Sequence, residues 1–103
     1  MSAATLAGVT DFATAVDRLL NQVRHWEQPR WQNRSDPTYA LVQRLADLSA
    51  DAEGRPHRPV PREHDMILPD QIRVLADDLL AADPSPTTLA EATAAVEGLR
   101  ASI

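Results

Sequence analysis

The sequence predicts an all-α protein, a small bundle of four helices. Three observations carry that prediction. Four segments repeat apolar residues at spacings of three and four. No segment alternates with period two for long enough to argue a strand. Prolines, with Gly54, mark the boundaries of the periodic segments. At 103 residues the chain has the length of one ordinary domain, 1–103.

The first helix is expected over about 11–28. Phe12, Val16, Leu19, Val23 and Trp26 form its stripe, Thr10 or Asp11 is the expected cap, and Pro29 the expected stop. Residues 1–9 carry no comparable stripe and read as a frayed tail. The second helix is expected over 37–52, opening at Asp36-Pro37 and closing at Gly54, a glycine placed for a left-handed C-terminal cap. Leu41, Leu45, Leu48 and Ala52 line its face. The third, over 69–82, presents Leu68, Ile72, Leu75, Leu79 and Ala82. The fourth, over 86–101, starts at Ser85-Pro86 or at Thr88 and presents Leu89, Ala92, Val96, Leu99 and Ile103. Gly98 interrupts it at a cost of about 1 kcal/mol relative to alanine, which suggests a close helix approach. The few residues joining the third and fourth helices predict that they form an antiparallel hairpin.

Between the second and third helices lies a long segment, 53–66, reading EGRPHRPVPREHDM. Its three prolines keep it extended and stiff. Arg55, His57, Arg58, Arg62 and His64 crowd into it. Guanidinium forks on such a backbone could pair with phosphates or carboxylates. Alternatively, the segment lies over the bundle and ties its arginines to acidic helices. Trp31, which follows no helical period, completes the candidate interaction surface and becomes a hot-spot residue for a protein partner if it is exposed.

Composition narrows the function classes. Net charge is −5, and residues 67–103 alone carry −4. An acidic body disfavours nucleic acid and anionic lipid, since phosphate neutralisation needs a basic face. There is no cysteine, so disulfides, thiol chemistry and cysteine-bound zinc or iron–sulfur groups are ruled out, and a reducing, cytoplasmic location is expected. The N-terminus has neither the charge nor the apolar core of a signal peptide, and no apolar run is long enough to span a bilayer. All ten basic residues are arginine, in keeping with a GC-rich bacterial genome.

No catalytic residue, cofactor site or metal site is assigned. His57 and His64 are seven apart, with Glu63 and Asp65 adjacent, which offers ligand types without helical ligand spacing. Asp77 and Asp78 diverge on a helix, and no phosphate loop, nucleophile elbow or HExxH is present. The expected role is noncatalytic protein–protein contact, with a homodimer as one form of it. Leu20, Val42, Val74 and Leu80 fall outside the narrow stripes, so their helices need a deep position or a partner. The competing expectation is a nucleic-acid-associated regulator in which Arg30, Arg34, Arg55, Arg58 and Arg62 converge around Trp31. In a simple up-and-down bundle the two arginine-bearing connections lie at opposite ends, which counts against it.

Overall fold

A computed structural model describes residues 2–103. Among them are five α-helices and no strand: α1 (Ala3–Val23), α2 (Gln28–Trp31), α3 (Ser35–Ala52), α4 (Leu68–Ala81) and α5 (Pro86–Ser102). A single 3-10 turn, Asp65–Ile67, precedes α4. The all-α prediction agrees with this, whereas the count of four helices does not. Among the described residues, no helix is long and apolar enough to cross a membrane.

The extra helix is α2, and proline explains it. Pro29 sits in its first turn, where the missing N–H is no loss and the fixed φ suits a helix. The residue expected to stop one helix therefore starts another. The expected frayed tail is also corrected. The Ser2 hydroxyl accepts the Thr5 N–H and caps α1, so the helix begins at Ala3. Thr10 lies inside the helix, with its hydroxyl bonded to the Leu6 carbonyl. What holds this first stretch in place is a close approach. A Cβ on Gly8 would stand 3.2 Å from Leu89 Cδ1, so the absence of a side chain lets α1 and α5 meet there.

Gly54 closes α3 at φ +67. Its N–H bonds to the Asp51 carbonyl, and the Arg55 N–H reaches back to Ala50, the paired pattern of a left-handed helix stop. Ser85, rather than Thr88, caps α5 by accepting the Thr88 N–H.

Phe12, Val16, Leu19, Leu45, Ile72, Leu79, Leu89 and Val96 are fully buried and belong to one contiguous cluster. Around it α1 packs against α5 and α4, and α3 packs against α4 and α5. The helices expected to pair as a hairpin, α4 and α5, scarcely touch and lie across the bundle diagonal. A four-residue connection fixes where two helix ends meet, not which faces they share.

Helix directions follow from cross-helix neighbours. Arg73 of α4 pairs with Asp17, and Pro69 and Asp70 lie beside Arg24, so α1 and α4 are antiparallel. Arg44 pairs with Glu91 while Pro37 lies near Ser102, so α3 and α5 are antiparallel. The starts of α1 and α5 lie together, at Gly8 and Leu89. Hence α1 and α5 run one way, and α3 and α4 the other.

Two adjacent parallel helices need a connection that returns the full helix length. Residues 53–64 supply it as a strap laid back along α3. In order, His57 meets Asp51, Gln43 binds Arg58 and Val60, Tyr39 binds Val60, and Arg62 meets Asp36. Eighteen helical residues span about 27 Å, and twelve extended, proline-stiffened residues reach about 37 Å, so the strap is long enough.

Candidate interaction surface

The strap is held chiefly through its own backbone. Gln43 grips two points at once: its Oε1 accepts the Val60 N–H at 2.8 Å, and its Nε2 donates to the Arg58 carbonyl at 3.0 Å. The Tyr39 hydroxyl donates to the Val60 carbonyl, and Gln71 of α4 donates to the Pro61 carbonyl. Proline explains this pattern, because Pro59 and Pro61 offer no N–H and leave the carbonyls and Val60 N–H as handles.

The charged side chains of the strap are largely engaged at home. Arg55 pairs with Glu53 at 2.7 Å. Arg62 pairs with Asp36 at 2.8 Å and lies over the Tyr39 ring at 4.6 Å. His57 Nε2 is 2.6 Å from Asp51, and its Nδ1 is 3.7 Å from Asp47. The hydrogen bond to Asp51 raises the His57 pKa above its ordinary 6.5. Desolvation and, more weakly, Arg44 oppose the shift, while the charges of Asp47 and Asp51 reinforce it. The imidazole and its closer partner Asp51 face solvent, whereas Asp47 is partly covered and stands farther off. His64 turns its Nδ1 to the Met66 N–H and caps the 3-10 turn. Among the described residues, Arg58 is the one arginine of the strap with no carboxylate within ion-pairing distance.

Trp31 does not meet the condition for a hot spot. It is fully buried and packs edge-on against Trp26, ring centroids 4.9 Å apart. The reason is α2, which gives Trp31 the helical turn that its sequence neighbourhood conceals. Trp26 is buried as well, under the guanidinium groups of Arg30 and Arg34 at 5.2 and 5.7 Å from its ring centroid.

What the helices leave uncovered is apolar. Of the four residues outside the stripes, Val42 is fully buried, and Leu20 and Leu80 pack against the core. Val74 remains 57% exposed. With Val60, Gln71 and Leu75 it lines an open groove of about 260 Å³ between the strap and α4. Met66 and Ile67, also exposed, lie in the 3-10 turn that precedes α4. Val60 was invisible as a site residue, since only the return path of the strap sets it opposite α4.

Among the described residues, no group of three His, Asp or Glu side chains is placed to hold a metal ion. A larger open pocket, about 480 Å³, lies between α1 and α4, where the Asp17–Arg73 ion pair occupies its polar wall. No known protein family, curated protein or solved structure matches the chain.

Proposed function

We propose that this chain is a small noncatalytic helical protein of the cytoplasm that works through protein–protein contact, with the groove between the strap and α4 as its contact surface. The observation that carries the reading is Val74, an exposed branched apolar residue that lines one groove with Val60 and Leu75. Apolar side chains gathered at one exposed place, rather than scattered singly, are the surface that a protein contact uses. The absence of cysteine supports the location.

The test is a photocrosslinking residue placed at position 74 in cells, with position 94 on the exposed face of α5 as control. Protein adducts at 74 and none at 94 are expected. Equal labelling at both positions, or none at either, overturns the reading.

A nucleic-acid-associated role is the second reading, and one observation favours it. The return of the strap sets Arg62 at the same end of the bundle as Arg24, Arg30 and Arg34, where α1 ends and α3 begins. Arg55 and Arg58 lie farther along α3 and do not join them. Its test is the anisotropy of a labelled oligonucleotide at about 50 mM salt, where a basic interface binds most strongly. No binding there ends this reading.

A further inference from the structure

We infer that the occupant of this groove is the same groove of a second copy, joined through a twofold axis running along it. The inference rests on the reading of the groove as a protein-contact surface and names its partner.

Charge on the two rims carries the argument. The strap rim bears Arg58, exposed and, among the described residues, without a carboxylate partner, while Arg55 and Arg62 are paired. The α4 rim bears Asp70 and Asp78, exposed and, among the described residues, without a cation partner, since Arg73 engages Asp17 and Asp77. The groove is thus basic on one side, acidic on the other and apolar along its floor. A twofold axis along it exchanges the rims, so the strap of each copy faces α4 of the other.

The heights along the axis agree. Val60 lies level with Gln71 to Leu75. Arg58 is two residues farther along the strap, about 6 Å at the rise of an extended proline-rich chain. Four residues of α4 cover the same distance, which brings Arg58 level with Asp78. Symmetry then makes the Arg58–Asp78 pairing twice, with Val74 of both copies in the apolar floor between. In a symmetric interface each contact is made reciprocally, so a single matched pair supports both halves.

The patch is small. The fourteen residues of α4 span about 21 Å, and the strap lies about one helix width away. The area covered is on the order of 400 Å² per copy, about 800 Å² in total and short of the roughly 1,000 Å² that a stable interface buries, so the dimer is expected to be weak and to form only at high concentration.

The experiment is sedimentation velocity on the full chain from about 1 µM to about 500 µM, the range that brackets micromolar affinity. The mass is expected to rise from 11.3 kDa toward twice that value. Arg58→Asp and Asp78→Arg should each weaken association by about tenfold or more, and the double variant should restore it, because the swap rebuilds both pairs with reversed sign. All these positions are exposed, so circular dichroism should show every variant folded. A monomer at all concentrations, or a dimer indifferent to the charge swap, overturns the inference. If the monomer still forms position-74 adducts with another protein, the contact surface stands and only the second copy is refuted. A monomer without adducts refutes both.

Discussion

Replacing Gln43 with leucine should loosen the strap while leaving the bundle intact. The substitution removes the 2.8 Å bond to the Val60 N–H and the 3.0 Å bond to the Arg58 carbonyl. A hydrogen bond of this kind contributes about 1 kcal/mol net, so the loss is about 2 kcal/mol. That corresponds to roughly a 30-fold increase in the population with the strap lifted. Tyr39 still holds the Val60 carbonyl, and Gln71 and the Arg62–Asp36 pair hold the far end, so the opening is local. Native-state amide exchange measures it directly. The Val60 amide should exchange about 30-fold faster in the variant, while the Leu45 amide, in the buried middle of α3, should keep its protection. Unchanged exchange at Val60 refutes the proposed grip. Acceleration of Leu45 in step with Val60 refutes the claim that the strap opens on its own.

Three further outcomes follow from the geometry. His57 has its pKa raised by Asp51, so its contribution is fully present below its unfolded value of 6.5 and is lost as pH rises through the higher folded value. Urea titrations of the wild type and His57→Ala should therefore differ most below about pH 6.5 and converge on the alkaline side, and a gap that widens with pH contradicts the assignment. Gly54→Ala and Gly98→Ala should act in opposite directions on thermal stability. Gly54 holds φ +67, where a side chain costs about 1–2 kcal/mol. A Cβ at Gly98 meets nothing within 4 Å, so alanine there should stabilise by up to about 1 kcal/mol. Trp31→Ala should cost about 3–5 kcal/mol in chemical denaturation, as for any large buried aromatic; a near-neutral result would return Trp31 to the surface.

The helical class was legible because stripes such as Phe12-Val16-Leu19-Val23 and Leu89-Ala92-Val96-Leu99 record burial directly, and all eight residues are buried. Boundaries were less legible. Ser2 and its partner Thr5 mark the start of α1, but the alanine-rich turn that follows has no stripe to draw attention to them. Gly98 lies in open space, so the close approach expected there is made at Gly8 instead. The pairing of helices was least legible. It depends on the strap running back along α3, and the signal for that is a match of lengths: a proline-rich segment just long enough to return beside an eighteen-residue helix. The groove was half legible. Val74 stands out as an apolar residue off the stripe, whereas its neighbour Val60 has no local pattern and depends wholly on topology.

The docking of α1 on α5 has a bearing on biosynthesis. More than sixty residues separate the end of α1 from the start of α5. The apolar side of α1 that receives Leu89 must therefore wait, through the synthesis of α2, α3, the strap and α4, for its cover to be made. Until α5 emerges from the ribosome, the nascent chain presents an open oily trough, and closing it is a late, long-range step in folding.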